Sequence, residues 1–375
     1  MLSTYPPTQC GLATFTSALY EQLSQISCNV TIVRVRDNSE TQRDRPEVIT
    51  NLVNGSDAST ESVISILNLN DVVVIQHEYG IYGGADGEDV LKIAESLTVP
   101  SVLVPHTVLL DPTPRQRNIL DRLVSVSDLV VTMTETAKLR LIQNYGVDPE
   151  KITVIPHGAI DHRTFLNPRH VHDRVNSANT RPIILTWGLL GPGKGIEWAI
   201  DAMSSLRDLK PHYLVIGKTH PKVLERDGEE YRLSLAARVL RNEVTDIVDI
   251  DPSYLELAEL ARLVESADVV LLPYDSPDQV TSGVLIEAIA AGRPVVSTGF
   301  PHAVELLTSG SGIIVQRQDP EGIASALRRI LTEPGLAEDM ANHAAIEAPA
   351  LRWGAVAKRY RAVAARLVIA RLVPS

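Results

Sequence analysis

The chain has only two cysteines, Cys10 and Cys28, among its 375 residues. They lack metal-ligand spacing and are too few for a disulfide framework, which favours a reducing compartment. Each is expected to be a small buried residue. There is no run of about 18 apolar residues that could span a bilayer, and the start has neither a basic nor an apolar leader. These absences predict a cytoplasmic protein.

Basic residues are not in excess either: 35 Lys and Arg stand against 46 Asp and Glu, a net charge of −11. Binding to a phosphate backbone needs an excess of Lys and Arg, so nucleic acid is not the expected partner, although a local basic pocket is allowed. Hydrophobic content of 44% and charged content of 22% are ordinary for a soluble globular protein. The length predicts two domains.

Short runs rich in Val and Ile predict strands in the first half of the chain. They are TIVRV, DVVVIQH, SVLVPH, DLVVTM and ITVIPH, which begin at residues 31, 71, 101, 128 and 152. Helical patterns beginning at Phe15 and Arg115 lie between some of these runs. This alternation predicts a parallel sheet that is covered by helices on both faces.

A polar segment without periodicity follows Gly158, and the alternation then restarts with strands near residues 183, 213, 269, 294 and 312. The predicted fold class is α/β, with two Rossmann-like, doubly wound parallel-sheet domains that face a central cleft, where ligands bind at the carboxyl ends of strands. We place the domains at residues 1–165 and 166–351, joined near 159–180. The basic helix at 352–375 is expected to pack back on the first domain, with membrane-surface contact as the alternative.

The segment QVTSGVLIEAIAAGR, from Gln279 to Arg293, carries the strongest functional signal. A polar turn precedes an apolar helix, and free amides at such a helix start favour a phosphate. Glu287, one turn into the helix, can accept hydrogen bonds from vicinal hydroxyls such as those of a ribose. The pattern predicts a sugar nucleotide bound by Ser282, Gly283, Val284, Leu285 and Glu287.

A second loop, GLLGPGKG, follows a predicted strand and precedes a helix. Glycines such as Gly193 permit close backbone approach, and Lys194 offers a compact positive charge, which predicts a grip on a diphosphate. Gly217, at the end of the next strand, is a further candidate donor-binding residue. A flexible turn with a solvated lysine is the alternative. No Ser or Thr follows Lys194, so this is not a Walker A loop.

Polar residues also follow strands in the first half. Gly11 lies between an extended segment and a helix, where its backbone could approach a phosphate or the acceptor. His77, Glu78 and Tyr79 end a strand before a glycine-rich loop and suit an acceptor carbohydrate, with Tyr79 as a stacking surface. His106 ends another strand, where a lone histidine is often structural. A loop glycine and a structural turn are the alternatives for the other positions.

Four motifs occur in order along nearly the whole chain: CGLATFT, SDLVVTMTE with VIPHGAID, GLLGPGKG, and QVTSGVLIEAIAAGRPVV. Together they resemble the retaining glycosyltransferases of the GT-B fold, of the group 1 or family 4 type, which include mannosyl-, glucosyl- and sucrose-forming enzymes. The resemblance implies transfer of a hexose from a nucleoside diphosphate sugar to a hydroxyl acceptor such as a saccharide. It assigns catalytic roles to His106, Lys194 and Gln279, and it implies no metal and no cofactor besides the sugar nucleotide as co-substrate.

The resemblance ranks GDP-mannose first as donor and UDP- or ADP-glucose second, with the base against the IVDIDPSY loop near Asp251. The chain departs from the family at three positions. Leu189 stands near the usual arginine, His157 replaces an asparagine and is expected to be structural, and Gln279 replaces a glutamate. Glutamine can orient sugar hydroxyls but holds no negative charge. A phosphorylase that uses inorganic phosphate and a non-catalytic nucleotide-sugar sensor therefore remain alternatives.

Overall fold

The structure, a computed structural model, describes residues 1–37, 45–161, 181–276 and 279–372. Contacts divide the chain into two compact units. The first unit is Met1–Gly158 with Trp353–Ser375, and the second unit is Ala159–Arg352. Most of the predicted joining segment, 162–180, lies outside the described residues.

Each strand predicted from the sequence is present, within a residue or two. The described strands are β1 (Leu2–Ser3), β2 (Ile32–Arg36), β3 (Val48–Val53), β4 (Val73–His77), β5 (Ser101–Pro105), β6 (Leu129–Thr132), β7 (Ile152–Val154), β8 (Ile183–Trp187), β9 (His212–Ile216), β10 (Val248–Asp251), β11 (Val269–Leu272), β12 (Val295–Thr298) and β13 (Gly312–Val315).

Helices separate most of these strands, as the alternating pattern predicts. The described α-helices are α1 (Gly11–Gln25), α2 (Asp57–Leu67), α3 (Val90–Glu95), α4 (Pro114–Val126), α5 (Glu135–Tyr145), α6 (Ile196–Met203), α7 (Pro221–Asp227), α8 (Glu230–Arg241), α9 (Leu257–Ser266), α10 (Gly283–Ala290), α11 (Pro301–Leu307), α12 (Pro320–Thr332), α13 (Leu336–Leu351) and α14 (Trp353–Leu372).

Both sheets are parallel, and in each the strand order reverses direction once. In the described residues the first sheet has the order β3-β2-β1-β4-β5-β6-β7 and the second β10-β9-β8-β11-β12-β13. The reversal lies between β1 and β4 in the first sheet and between β8 and β11 in the second. Open α/β sheets bind ligands beside the carboxyl ends of strands at such a reversal. The predicted fold class, with two doubly wound parallel sheets, is confirmed.

The second sheet is buried on both faces. Along β8, Ile184 belongs to one apolar cluster with Val215 and Leu271, whereas Leu185 belongs to another with Leu272 and Leu285. Because successive side chains of a strand point to opposite faces, these two clusters are the cores above and below the sheet. This double burial explains why the strands read as continuous apolar runs.

Three strands were missed from the sequence. β1 is only two residues long, and β3, with the sequence VITNLV, lies at the sheet edge and carries polar residues. The IVDIDPSY segment is not wholly a loop, because Val248–Asp251 forms the edge strand β10. Its alternating apolar and acidic residues are compatible with an edge strand, but they lack the continuous apolar run by which the other strands were recognised.

The last helix, α14, contacts α1 within the first unit. It buries Trp353, Val356, Ala357, Tyr360 and Val363. Its Lys358, Arg359 and Arg361 are exposed. Among the described residues, no helix is both long and apolar enough to cross a bilayer.

A glycine contact in the second unit provides a test of the packing. A Cβ on Gly195 would lie 1.8 Å from the carbonyl oxygen of Pro273, and the φ of Gly195 is +63°. Gly292→Ala is a matched control, since Gly292 has φ +67° but open space around its Cβ position. We expect Gly292→Ala to lower the free energy of unfolding by about 1–2 kcal/mol. Gly195→Ala should cost about 1–3 kcal/mol more, because the neighbouring backbone must move. Equal losses in urea unfolding would contradict this packing.

Candidate functional site

The loops that follow β8, β9 and β11 carry the predicted donor-binding residues of the second unit. They are held together by backbone hydrogen bonds. Leu190 N donates to Lys218 O at 2.8 Å, and Asp275 N donates to Gly193 O at 2.9 Å. A Cβ on Gly217 would lie 1.7 Å from Gly188 O, so only glycine fits there. The structure thus brings Gly193, Lys194 and Gly217 together at the strand reversal of the second sheet.

Lys194 lies over an aromatic ring. Its Nζ is 4.4 Å from the centroid of Tyr274, which follows β11. Within the part of the chain that the structure describes, Lys194 forms no ion pair with a carboxylate. A Cβ on the preceding Gly193 would meet nothing within 4 Å, so the surface beside the lysine is open. Tyr274 was not identified from the sequence, because the contact depends on the fold of two separate loops.

The start of α10 offers fewer free amides than the sequence suggested. Ser282 N donates to Nδ1 of His302 at 2.8 Å, and Leu285 N donates to the Ser282 hydroxyl at 3.3 Å. These two amides are therefore engaged within the protein. Gly283 and Val284 are the first two helical residues, whose N–H groups have no acceptor inside the helix. The expectation of free amides thus holds for these two positions.

Glu287 and Gln279 flank the start of α10. Ile160 N donates to the two carboxylate oxygens of Glu287 at 3.3 and 3.4 Å, which directs the partly exposed side chain toward residue 160. Gln279 Nε2 donates to Thr281 O at 3.1 Å, so its amide is held by its own turn. Both side chains lie at the carboxyl edge of the sheet, near the loop after β11.

In the first unit, Gly11 is the first residue of α1, after the loop that follows β1. Cys10 caps this helix, its Sγ accepting from Ala13 N at 3.4 Å. A Cβ on Gly11 would meet nothing within 4 Å, so packing does not explain the glycine. Cys10 and Cys28 are partly exposed, and the expectation that they are buried is wrong.

His106, just after β5, is held by a buried amide that the sequence analysis missed. Its Nε2 lies 2.7 Å from Oε1 of Gln76. In this arrangement the oxygen accepts, so Nε2 carries the proton and Nδ1 remains an acceptor. The Phe15 ring meets the imidazole edge-on at 4.9 Å between centroids. Burial lowers the pKa of His106 to about 3, so the ring is neutral at physiological pH. The sequence signal for this contact was Gln76, a polar residue within the otherwise apolar run VVVIQH, which predicts a buried amide in need of a hydrogen-bond partner.

Of the three residues predicted to bind the acceptor, His77 and Tyr79 have buried rings, and Glu78 has a carboxylate held by hydrogen bonds. His77 is fully buried and Tyr79 is 9% exposed, with 5.0 Å between their ring centroids. Glu78 accepts from Tyr79 N at 3.0 Å and from the Thr107 hydroxyl at 2.5 Å. The burial favours the structural-turn alternative for the two rings, and Tyr79 presents no open stacking surface. Acceptor binding by these residues stays a prediction, with Glu78 the partly exposed member.

His157 packs in the first unit as a structural residue would. Its Nδ1 lies 2.6 Å from Gly158 O, and its ring contacts Phe15 and Trp353 at centroid distances of 5.1 and 5.4 Å. Burial lowers its pKa to about 4. Within the described ranges, no three His, Cys, Asp or Glu side chains are grouped as metal ligands would be.

The burial of His77 predicts a pH dependence of stability. Burial lowers its pKa from 6.5 to about 4, so between these values the unfolded chain binds a proton that the folded chain does not. The free energy of unfolding should therefore fall as pH drops from about 6.5 to 4. The loss is at most about 3–4 kcal/mol, at about 1.4 kcal/mol for each pKa unit. His77→Phe should reduce this slope in urea unfolding and leave the contributions of His106 and His157, and exposed His343→Phe should not reduce it. Equal slopes would contradict it.

Two protein-family models match the chain. The model described as "Glycosyltransferase Family 4" matches residues 10–163, and "Glycosyl transferases group 1" matches residues 181–333. The chain is 29% identical over 283 residues to the D-inositol 3-phosphate glycosyltransferase of Segniliparus rotundus. The aligned region covers 71% of this chain and 60% of that protein. The chain thus spans about three fifths of that relative's length.

Solved structures share the fold. The sucrose-phosphate synthase of Thermosynechococcus elongatus has a TM-score of 0.79 at 16% identity and covers 98% of both chains. The HepE protein of Anabaena, solved in complex with UDP, has a TM-score of 0.78 at 16% identity and covers 97% of this chain and 99% of its own. Identities this low show the fold alone. The family models, which together match most of the chain, and these folds lead to one conclusion: the chain belongs to the group 1 and family 4 glycosyltransferases and has the GT-B fold.

Proposed function

We propose that the protein transfers a hexose from a nucleoside diphosphate sugar to a hydroxyl acceptor, with retention of the anomeric configuration. The observation that carries this proposal is the shared position of Lys194, the start of α10 and Glu287 at the strand reversal of the second sheet. A cation, free amides and a carboxylate at one sheet edge match the phosphates and hydroxyls of a nucleotide. Membership of the glycosyltransferase family supports the sugar as the group transferred.

In this proposal the diphosphate contacts Lys194 and the amides of Gly283 and Val284. Negative charge grows on the diphosphate as the glycosidic bond breaks, so these groups bind the transition state more strongly than the ground state. Glu287 accepts hydrogen bonds from the ribose hydroxyls. The bifurcated bond from Ile160 N, at 3.3 and 3.4 Å to the two carboxylate oxygens, orients the carboxylate.

The sugar and the acceptor are assigned to side chains with less charge. Gln279 would orient the sugar through its amide. His106, in the first unit, stays a predicted catalytic residue, and its neutral imidazole offers Nδ1 as an acceptor. The acceptor hydroxyl would be bound near Glu78, whose carboxylate is held by Thr107. No metal enters this scheme, because Lys194 and backbone amides supply the positive potential at the leaving group.

The identity of the donor remains part of the proposal. The resemblance ranked GDP-mannose first, whereas the HepE protein was solved with UDP. We therefore place UDP-glucose beside GDP-mannose as the donors to test. A thermal-shift series with GDP, UDP, ADP and phosphate ranks the bases, since a ligand at about 100 times its Kd stabilises by about 2.7 kcal/mol.

Two rival functions give different results in the same experiments. A phosphorylase would be stabilised by inorganic phosphate and would release a sugar phosphate. A non-catalytic sensor would bind the nucleotide sugar without hydrolysing or transferring it. Donor turnover together with nucleotide binding supports the transferase, and the anomeric configuration of the product, observed by NMR, tests retention.

Removal of the proposed ribose acceptor should weaken nucleotide binding. In Glu287→Ala the ribose hydroxyls lose a charged acceptor worth about 1.5–3 kcal/mol. We expect calorimetry to show about a tenfold to hundredfold rise in the Kd of the nucleotide that the parent protein binds best. Glu338→Ala, an exposed carboxylate of the same unit, is the control. Unchanged affinity in a folded Glu287→Ala protein would rule out the ribose contact.

Removal of the proposed diphosphate cation should affect turnover more than binding. Lys194→Ala loses an interaction that strengthens as the leaving group gains charge, so kcat should fall by more than donor affinity. Steady-state kinetics with the preferred donor measure kcat, and calorimetry measures its Kd. Lys358→Ala, on the exposed face of α14, is the control. A rise in the Michaelis constant alone would show that Lys194 only anchors the ground state.

A further inference from the structure

Tyr274 has a fixed ring at the carboxyl end of β11. The residue is 2% exposed, and its ring stacks on Phe300 with 5.2 Å between centroids and an angle of 25°. Its carbonyl oxygen accepts a hydrogen bond from the Thr298 hydroxyl at 2.6 Å. Both the side chain and the backbone of Tyr274 are therefore held by neighbouring residues.

The ammonium of Lys194 lies above this ring. Its Nζ is 4.4 Å from the ring centroid, within the range of about 6 Å for a cation–π interaction. The backbone brings the two residues together on both sides of the contact. Asp275 N donates to Gly193 O at 2.9 Å, and only glycine fits at position 195 against Pro273 O. The position of the lysine is thus set by the same loops that form the candidate donor site.

A ring differs from a carboxylate as a partner for a catalytic cation. A carboxylate would cancel the charge of Lys194 and compete with a diphosphate for it. The carboxylate next to Tyr274, that of Asp275, instead accepts from Trp198 Nε1 at 3.0 Å. The face of an aromatic ring attracts the ammonium through its quadrupole and leaves the net charge unchanged. The ammonium can then turn its N–H donors to an anion.

We propose that Tyr274 is a positioning residue whose ring holds the ammonium of Lys194 at the place where the donor diphosphate binds. The inference rests on the proposed function. It gives the ring a role beyond its packing on Phe300, because the orientation of the only cation assigned to the diphosphate depends on it. Where the family usually has an arginine, this chain has Leu189, so the placement of this one cation carries more weight.

The test weakens the negative potential on the face of the ring and keeps the shape of the ring nearly unchanged. Tyr274→Phe retains the ring face and should leave nucleotide affinity within about twofold. Incorporation of 4-fluoro-, 3,5-difluoro- and 3,4,5-trifluorophenylalanine at position 274 then weakens the quadrupole in steps. We expect the Kd for UDP, or for GDP if it binds more tightly, to rise with each fluorine and by about fivefold over the series, within the usual range of a cation–π contact.

The same series in Lys194→Met protein is the matched control. If the ring acts through the ammonium, the Kd in this background should not change with fluorination, because coupling between two residues disappears when one is removed. A purely structural role of the ring predicts that the Kd shows no trend with fluorination in the protein that keeps Lys194. A trend of equal size in both backgrounds would show an effect on Phe300 packing. Either result would overturn the inference.

A measurement without ligand separates this inference from the proposed function. A lysine over an aromatic ring has ε-methylene protons shifted upfield by the ring current, and NMR of 13C-lysine protein detects them. The shifted signal should be present in the parent and Tyr274→Phe proteins and absent in Lys194→Met and Tyr274→Leu.

A parent protein without this signal would overturn the inference, whether or not nucleotide binds. If the signal is present but no nucleotide binds, the proposed function fails, and the positioning role with it. Nucleotide binding with no fluorination trend would overturn the inference alone.

Discussion

Close contact between backbone segments at the carboxyl edge of the second sheet is the constraint on which the candidate site depends. A Cβ on Gly217 would lie 1.7 Å from Gly188 O, and one on Gly195 would lie 1.8 Å from Pro273 O. No side chain can be accommodated at such distances. The loops after β8, β9 and β11 therefore meet as bare backbone and are joined by hydrogen bonds such as that from Asp275 N to Gly193 O. Lys194 is positioned because its neighbours on both sides are fixed in this way.

Most of the fold could be predicted because a strand buried on both faces leaves a plain signal. Runs such as IILTW and VVLLP place consecutive residues in two apolar cores, so every position is apolar. Edge strands have one face or one side toward solvent, and the signal weakens accordingly. β10, with the sequence VDID, alternates apolar and acidic residues at the edge of its sheet and was interpreted as a loop. The energetic reason is the same in both cases: burial selects apolar residues, and exposure removes that selection.

The candidate site divides in the same way between local and distant interactions. Glycine loops and the helix start are local patterns, so Gly193, Lys194, Ser282 and Glu287 could be selected from the sequence. The partners of the supporting residues could not be assigned, because each contact joins segments far apart in the chain; Gln76 stood out only as a glutamine in an apolar run. Gln76 contacts His106 across 30 positions, and His302 accepts the amide of Ser282 across 20. The same burial that supports His106 removed the predicted stacking surface of Tyr79, which is 9% exposed.

The candidate site contains few side chains with a formal charge. Leu189 stands near the usual arginine, Gln279 replaces a carboxylate, and His106 is neutral because burial lowers its pKa to about 3. Lys194 is then the main formal positive charge among the residues assigned to the donor, and its partner is a ring rather than an acid. Fixed dipoles can replace ions where they need no reorganisation as charge develops, and the amides of Gly283 and Val284 are fixed by α10. A net charge of −11 makes the average field of the protein unfavourable to the approach of a phosphate group. In the proposed scheme, precise placement of this one cation is therefore what the sheet edge provides.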